Sequence, residues 1–286
     1  MSSMKAIFIY NKTSGKGRIL KKKDFIIKEL KEIYDEIDVV ESLSEEHFIE
    51  VSKKACGKYD AIIFSGGDGT FNMIVNAIAK EENRPVLGVI PTGTVNDAAK
   101  NFGISKNIKK ALKIIKEQKI RKFDIGQLND KYFVFTAAIG AYADIPIVTT
   151  KKEKKKFGPL AYYFRALPTI FKFVKIEGNI EIDGVTYPYK TPFVLIMNSS
   201  RVGGFKINPK SNVYDGKMDV FIARPSIFNS LLTYMFARRR IKHYQGSHIK
   251  VEVHIPDYWD IDGEKGPSGN ADITVLASHI SIYSKK

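Results

Sequence analysis

The chain has 286 residues, of which 44% are hydrophobic, and its formal net charge is +15 at pH 7. This length suits one large or two ordinary globular domains, and the positive charge favours an anionic partner: a nucleotide, a nucleic acid or an acidic membrane surface. The single cysteine, Cys56, excludes an intramolecular disulfide and a zinc site built from several cysteines. An apolar segment begins at Lys5, which leaves no room for a signal peptide, and no uncharged apolar run reaches about 18 residues. We therefore expect a cytoplasmic protein.

The first part of the chain alternates segments typical of strands with segments typical of helices. Short apolar runs predict strands at residues 5–10, 37–40, 61–64 and 86–90. The spacing of apolar residues predicts helices near residues 20–33, 46–55, 71–78 and 108–116, with Ser42 or Ser44 as the cap of the second. This alternation is typical of a doubly wound parallel sheet, in which the loops after the strands meet at one edge.

The pattern changes near residue 127. Short strands without long helices between them are predicted at residues 132–137, 179–182, 185–189, 192–197, 218–223, 249–254 and 273–277, with a hairpin turn at Asp183 and Gly184. Residues 226–244 instead have a helical period. We therefore predict an α/β domain over residues 1–127 and an antiparallel sandwich or barrel over residues 128–286, whose last residues return to the first domain.

Three polar loops that contain glycine follow predicted strands, at residues 11–17, 65–70 and 91–98. Glycine lets a ligand approach the main chain closely, and the N-terminus of the following helix favours an anion, so phosphate is the natural ligand. Asp68 in the second loop would repel a bare phosphate, which implies a metal ion, a hydroxyl group or a ribose between them. Three such loops at one sheet edge predict a nucleotide site.

The order of the motifs along nearly the whole chain resembles the diacylglycerol kinase catalytic family, in particular the soluble bacterial lipid kinases related to sphingosine and ceramide kinases. The motifs are Asn11 to Gly15, Gly66-Gly67-Asp68-Gly69-Thr70 with Asn72, Pro91-Thr92-Gly93-Thr94 with Asn96-Asp97, Asp124-Ile125-Gly126, Gly203-Gly204-Phe205, Pro209 with Asp215-Gly216, and Asp262-Gly263-Glu264. The resemblance implies a nucleotide domain like that of NAD kinases and diacylglycerol kinases, followed by a β-sandwich domain that binds the lipid. Lys12 and Val95 depart from the proline and glycine that are usual in the family.

Phosphoryl transfer needs cradled phosphates, a divalent cation and a base near the acceptor hydroxyl group. The loops and the resemblance together assign ATP binding to Asn11, Lys12, Thr13, Ser14, Gly15, Ser42, Gly66, Gly67, Asp68, Gly69, Thr70, Phe71, Asn72, Thr94 and Asn96. The catalytic Mg²⁺ is expected at Asp68, Asp97 and Asp124, directly or through water.

The resemblance implies two further functional positions in the second domain. One is a structural Mg²⁺ at Asn212, Asp215 and Lys217, where a plain tight turn is the alternative interpretation. The other is the catalytic base, which is expected to be Glu264 with assistance from Asp262. A hairpin turn with solvated acids is the alternative there.

Three functions are compatible with these residues. The first is an ATP- and Mg²⁺-dependent lipid kinase that converts diacylglycerol to phosphatidate. The second is an NAD kinase-like enzyme that acts on a small alcohol, and the acidic turn at residues 262–264 argues against it. The third is a protein that binds a nucleotide or an anionic lipid without catalysis, and the complete set of acids argues against that. No recognised module supports nucleic-acid binding, and a homodimer is left open.

Two segments suggest how such an enzyme would reach a substrate in a bilayer. Residues 151–175 combine lysines with aromatic rings, and residues 226–240 place apolar side chains before three arginines. Cationic and aromatic side chains together are typical of surfaces that bind anionic phospholipid. We therefore predict peripheral membrane association, with an ordinary core and solvated lysines as the alternative.

Overall fold

A computed structural model describes residues 3–12, 14–17, 19–140, 176–202, 204–224, 241–254 and 257–285. The chain forms two units, of which one comprises Met1–Phe123 and Ser278–Lys286 and the other comprises Asp124–Ala277. Residues 151–175 and 226–240, the segments predicted to bind a membrane, lie outside the described residues. Their proposed role therefore stays a prediction.

The helices and strands of the described residues are numbered in chain order. The helices are α1 (Lys23–Lys31), α2 (Glu45–Ala55), α3 (Asp68–Ile78), α4 (Asp97–Asn101) and α5 (Ile108–Lys116), with short 3-10 turns at Ser14–Gly17 and Leu20–Lys22. The strands are β1 (Lys5–Tyr10), β2 (Glu36–Glu41), β3 (Ala61–Gly66), β4 (Val86–Pro91), β5 (Ile120–Leu128), β6 (Lys131–Phe133), β7 (Thr136–Gly140), β8 (Ile176–Ile182), β9 (Val185–Thr191), β10 (Phe193–Met197), β11 (Arg201–Val202), β12 (Phe205–Lys206), β13 (Met218–Ala223), β14 (Ile241–Gly246), β15 (His248–Val251), β16 (Tyr258–Ile261), β17 (Glu264–Ser268) and β18 (Ala271–Tyr283). Within this described part, none of the helices has the length and apolarity that a membrane span requires.

The first unit is built on a parallel sheet with the strand order β2, β1, β3, β4 and the end of β18. Strands β1, β3 and β4 are almost entirely buried, because strands of a parallel sheet are covered by helices on both faces. Helix α2 packs against α3, and α1 packs against α5, as two helical layers require. The prediction of a doubly wound parallel-sheet unit is confirmed.

The second unit contains two large antiparallel sheets and the two-stranded antiparallel sheet of β11 and β12. One has the strand order β14, β13, β10, β7, β16 and β17, and the other combines the start of β18 with β15, β8 and β9. Fully buried residues of both sheets share one core, among them Ile180 of β8, Val194 of β10 and Trp259 of β16. The predicted hairpin turn joins β8 to β9, where Asp183 and Gly184 have φ angles of 47° and 85°, as a type I′ turn requires. The prediction of an antiparallel sandwich is confirmed.

Strand β14 contradicts the helical prediction for residues 241–244. Its residues pair with β13 along their whole length, from Ile241 opposite Ala223 to Gly246 opposite Met218. This pairing is a tertiary contact, and local periodicity does not detect such a contact. Strands β16 and β17, which flank the acidic turn, are also absent from the predicted strands.

Candidate active site

The second and third glycine loops contact each other through their main chains. The Gly66 carbonyl accepts the N–H groups of Thr92 at 2.9 Å and Gly93 at 3.2 Å. A Cβ atom added to Gly93 would lie 2.6 Å from the Cα atom of Gly67, and one added to Gly67 would lie 3.0 Å from the Cα atom of Gly93. Gly67 and Gly93 are therefore required because the loops pack against each other. The close packing explains both glycines without a ligand.

Gly69 is the glycine of this loop that leaves room for a ligand. It is exposed in the first turn of α3, and nothing lies within 4 Å of the position that its Cβ atom would take. The residue before the helix is Gly67, which has no side chain to accept the first N–H groups. The start of α3 therefore has the open main chain and the partial positive charge that bind a phosphate group.

Asp68 joins the second loop to the third through its side chain. Its Oδ1 atom accepts the main-chain N–H group of Ala98 at 2.7 Å. Burial raises the pKa of Asp68 and the nearby Asp97 carboxylate adds to the rise, whereas the Ala98 N–H group and Lys100 oppose it. Asp97 is itself buried, and its Oδ1 atom lies 3.0 Å from Lys100 Nζ. Two neighbouring acids, one of them costly to ionise, are a suitable donor set for a divalent cation.

Asn96 closes the third loop in a left-handed conformation, with φ 53° and ψ 49°. Its Nδ2 atom donates a hydrogen bond to the Gly93 carbonyl at 2.6 Å. Its Oδ1 atom is buried and accepts no hydrogen bond from the described residues. Buried acceptors are usually paired, so this oxygen beside the glycine contact fits a site that a bound ligand completes.

The first glycine loop is held to the third loop and to the end of β2. Ser14 Oγ lies 2.5 Å from Thr92 Oγ1, and Asn11 Nδ2 donates to the Ser42 carbonyl at 3.2 Å. The Asn11 carbonyl in turn accepts the N–H group of Ser14 at 2.9 Å, which shapes the turn between them. The structure thus brings all three loops together within the first unit, while Thr13 lies outside the described residues.

Two other residues predicted to bind ATP have partners in the protein. The Lys12 side chain is exposed, and its Nζ atom lies 3.4 Å from Glu41. Ser42 is buried and donates its hydroxyl hydrogen to the Ser44 carbonyl at 2.8 Å. Of the two candidate caps, Ser44 is the one that caps α2, because its hydroxyl oxygen accepts the N–H group of His47 at 3.1 Å.

Phe71 is among the residues predicted to bind ATP, and its ring lies in the core of the first unit. The ring is fully buried, with centroid separations of 5.5 Å from Phe102 and 5.9 Å from Phe123. Its N–H group donates to the Gly67 carbonyl at 3.0 Å, so the main chain is also engaged. Phe71 is a core residue, as expected for the apolar face of an amphipathic helix.

The remaining polar residues of these two loops differ in exposure. Asn72 is buried, and its Oδ1 atom accepts a hydrogen bond from Asn76 Nδ2 at 2.7 Å, which gives it a role inside α3. The Thr70 side chain covers Gly66, since a Cβ atom added to that glycine would lie 2.3 Å from Thr70 Cβ. Thr94 is exposed at the tip of the third loop. Of these three residues, only Thr94 is placed at the open surface.

The acidic turn in the second unit is anchored by Asp262. This residue and Gly263 have φ angles of 52° and 88°, which form the turn between β16 and β17. The Asp262 carboxylate accepts three main-chain N–H groups, those of Val134 at 2.7 Å, Phe135 at 2.9 Å and Thr136 at 2.8 Å. Burial raises its pKa to about 6, although the three N–H groups oppose the rise. Asp262 therefore clamps the turn to the link between β6 and β7.

Glu264 differs from Asp262 in both exposure and bonding. It is exposed at the first position of β17, and its carboxylate makes no hydrogen bond or ion pair within the described residues. Its charge lies near enough to contribute to the raised pKa of Asp262. A carboxylate in this position is available to accept a proton from a substrate hydroxyl group.

Asp124, at the start of the second unit, holds the loop that was predicted to bind a structural cation. It is fully buried, and its Oδ2 atom accepts the Gly216 N–H group at 2.7 Å. Its own N–H group donates to the Val213 carbonyl at 2.9 Å. The structure therefore places Asp124 with the loop at residues 212–217.

Asp215 lies in the same loop. Its Oδ1 atom accepts the Lys217 N–H group at 3.1 Å, and the Asn212 Oδ1 atom accepts the Tyr214 N–H group at 3.2 Å, so the loop is also a tight turn. Burial raises the pKa of Asp215, and the charge of Asp124 adds to the rise. Across the described ranges no three His, Cys, Asp or Glu residues form a metal-binding group. A cation here would need main-chain carbonyl oxygens as ligands in addition to Asp124 and Asp215. Mg²⁺ accepts both carboxylate and carbonyl oxygens.

Both units match families of known proteins. The diacylglycerol kinase catalytic domain matches residues 5–128, and the YegS C-terminal NAD kinase beta sandwich-like domain matches residues 138–283. A Staphylococcus aureus (strain MRSA252) protein named diacylglycerol kinase is 32% identical over 289 residues, which cover 98% of this chain and 92% of that protein. This chain belongs to the diacylglycerol kinase family. The resemblance stated from the motifs is confirmed.

Solved structures share the fold of this diacylglycerol kinase family member. A crystal structure of a diacylglycerol kinase from Bacillus anthracis str. Sterne has a TM-score of 0.82 at 22% identity and covers 100% of this chain and 98% of that one. A second structure from the same organism has a TM-score of 0.88 at 24% identity, with coverage of 100% and 96%. At these identities the likeness supports the fold.

Three residues that contact the site were not among those predicted to bind ATP or metal. Thr92 contacts Ser14, Ala98 donates its N–H group to Asp68, and Lys100 pairs with Asp97. Lys100 follows Asp97 at helical spacing, which is a signal that sequence inspection can use. Ala98 acts through its main chain, so its residue type gives no such signal.

Proposed function

We propose that this member of the diacylglycerol kinase family transfers the γ-phosphoryl group of ATP to the hydroxyl group of diacylglycerol, giving phosphatidate and ADP. The observation that supports this most directly is the start of α3, where the open Gly69 adjoins Asp68 with its raised pKa. A phosphate-binding helix start beside a cation ligand is what phosphoryl transfer requires. Diacylglycerol as the acceptor rests on the relative named above.

The phosphates are proposed to bind at the rim formed by the three glycine loops. The N–H groups at the start of α3 are suited to bind an anion, and Gly69 leaves room for the phosphates to approach them. Asn11 and Ser14 of the first loop, together with Asn96 of the third, supply polar groups around the same rim. Ser42, Lys12 and Thr94 remain secondary candidates in this proposal.

Mg²⁺, when bound, neutralises the charge that develops on the phosphates during transfer. Asp68 and Asp97 are proposed to hold it in the first unit, directly or through water. A cation there would also favour the ionised form of Asp68, which burial disfavours. In the second unit, Asp124 and Asp215 are proposed to hold a structural Mg²⁺ with carbonyl oxygens of the loop at residues 212–217.

Glu264 is proposed to take the proton from the acceptor hydroxyl group. The hydroxyl oxygen then bonds to the γ-phosphorus atom while the bond between that atom and the ADP oxygen breaks. Asp262 holds the turn in place, because its carboxylate is occupied by the N–H groups of residues 134–136. We further propose that the enzyme acts on a membrane surface that contains anionic phospholipid, which the net charge of +15 supports.

The test is a transfer assay with labelled ATP, Mg²⁺ and four acceptors: diacylglycerol, sphingosine and ceramide in mixed micelles, and NAD in solution. We expect the label in phosphatidate for the unaltered protein and its loss in Asp68→Asn. Asp24→Asn is the matched control, because Asp24 also occupies the first turn of a helix but is exposed and lies outside the three glycine loops. Label in NAD would instead indicate a small-molecule kinase, and ATP binding without transfer would indicate a binding protein.

A further inference from the structure

Asn198 is a buried amide in the second unit that lies between two main-chain segments. It follows β10, its exposure is 1%, and its N–H group donates to the Phe135 carbonyl at 2.8 Å. Its Nδ2 atom donates to the Asp124 carbonyl at 2.6 Å and to the Val134 carbonyl at 3.3 Å. One side chain is therefore bonded to two segments that are far from it in sequence.

Both segments lead to positions with a proposed role in the reaction. Asp124 holds the cation loop, because its carboxylate accepts the Gly216 N–H group. The segment at residues 134–136 holds the acidic turn, because its N–H groups bind the Asp262 carboxylate. Asn198 thus donates to the carbonyl groups of Val134 and Phe135, while the Asp262 carboxylate accepts the N–H groups of residues 134–136.

The orientation of the Asn198 amide follows from its neighbours. Carbonyl oxygens accept hydrogen bonds and cannot donate them, so the NH₂ group must face Asp124 and Val134. The Oδ1 atom is then left buried without a donor among the described residues. Leaving a buried acceptor unpaired costs about 1–3 kcal/mol, so an apolar residue would suit the core better. The hydrogen bonds that Nδ2 donates to Asp124 and Val134 offset the cost of the unpaired Oδ1 atom.

We propose that Asn198 is a positioning residue that fixes the cation loop and the acidic turn relative to each other inside the second unit. The role in catalysis rests on the proposed kinase function. Asn198 contacts neither the cation nor the substrate in this proposal and acts through Asp124 and Val134. Removal of a residue that orients metal ligands typically lowers activity about 10- to 100-fold.

Asn198→Leu removes both donors and keeps the branched shape of the side chain. We expect kcat to fall about tenfold or more, with KM for ATP unchanged, since the ATP loops belong to the first unit. Thr191→Val is the matched control: Thr191 is fully buried in the same unit, and its hydroxyl group lies 2.8 Å from the Phe193 carbonyl and 2.6 Å from the Ala223 carbonyl. Thr191→Val should lower the melting temperature but leave kcat within about twofold, which is the range of a small change in transition-state energy.

A second measurement does not depend on activity. Hydrogen exchange followed by mass spectrometry should show faster exchange at residues 131–137 and 212–218 in Asn198→Leu, and not in Thr191→Val. Asn198→Ala is the second variant in case the leucine does not fold, because it removes both donors without placing a larger apolar side chain in the core. It should give the same local increase.

The results separate this proposal from the proposed function. If the unaltered protein labels no acceptor, the kinase function fails, while the exchange measurement still decides whether Asn198 holds the two segments. The proposal is overturned if both Asn198 variants exchange like Thr191→Val at these segments. It is also overturned if an active Asn198 variant loses stability but retains kcat within about twofold of the unaltered enzyme.

Discussion

Replacing Gly69 with alanine separates the needs of the fold from those of a phosphate ligand. Nothing lies within 4 Å of the added Cβ atom, and the residue is helical, so the change introduces no clash. Alanine is favoured over glycine in a helix by about 0.5–1 kcal/mol. The unfolding free energy should therefore rise by that amount, and the melting temperature by about 1–4 °C. A methyl group on the surface that phosphate approaches should weaken ATP binding at least tenfold, or about 1.4 kcal/mol.

The assays are thermal unfolding and calorimetric titration with ATP in the presence of Mg²⁺. Gly93→Ala is the contrasting variant, because its Cβ atom would lie 2.6 Å from Gly67 Cα and 2.7 Å from Asn96 Oδ1. It should destabilise the first unit by about 1–3 kcal/mol, as overpacking does. Gly69→Ala with unchanged ATP affinity would refute the placement of the phosphates at the start of α3. A lower melting temperature for this variant would refute the view that the position is open.

The acids of the two units give three more predictions. Asp68→Asn should abolish transfer without lowering stability, because burial already disfavours the charged form. Glu264→Gln should lower turnover about a hundredfold with ATP affinity and melting unchanged, since the residue is exposed and a general base contributes about that much. The folded pKa of Asp262 is about 6 and its ordinary value is 3.8, so the folded state holds this proton more tightly. Its contribution to stability should be complete below about pH 4 and lost as the pH rises through about 6, by up to about 3 kcal/mol. Urea unfolding of Asp262→Asn should lack this part of the pH dependence.

Two of these variants have a matched control, and all three have a contradicting result. Asp24→Asn controls for Asp68→Asn, and transfer by the Asp68 variant would contradict the cation assignment. Glu181→Gln changes another strand glutamate of the second unit and should leave turnover intact. A Glu264 variant that loses ATP affinity would mean that the turn binds the nucleotide. For Asp262, an unaltered pH dependence in the variant would show that its carboxyl group is not the one that titrates.

The fold was predictable where the signal is local. Buried apolar strands followed by glycine loops identify β1, β3 and β4, and the spacing of apolar residues identifies α5 with its observed bounds, Ile108–Lys116. Strand β14 was not predictable, because its conformation comes from pairing with β13 across a long sequence separation. The position of Phe71 in the loop motif suggested a ligand contact, whereas its helical spacing points its ring into the aromatic core with Phe102 and Phe123.

The candidate site divides in the same way. Asp68 and Gly69 were predictable, since a plain strand-to-helix turn needs neither three glycines nor an acid among them. The clamp on the acidic turn was not, because Asp262 binds main-chain groups more than a hundred residues away, and those groups have no characteristic residue type. Asn198 gave no signal for the same reason, as its acceptors are carbonyl groups.

The choice of base between the two acids of the turn depends on counting hydrogen bonds rather than on pKa. A raised pKa near 6 would by itself make Asp262 the better general base at neutral pH. However, both of its oxygens already accept N–H groups from the segment at residues 134–136. Three of its roughly four acceptor positions are thus taken, and a proton gained from a substrate would weaken these bonds and loosen the turn that also positions Glu264. Glu264 can accept a proton without such a cost, because its exposed carboxylate has no hydrogen bond within the described residues. We therefore propose the exposed Glu264 as the base, and Asp262, the half-buried acid with the raised pKa, as the residue that holds the turn in place.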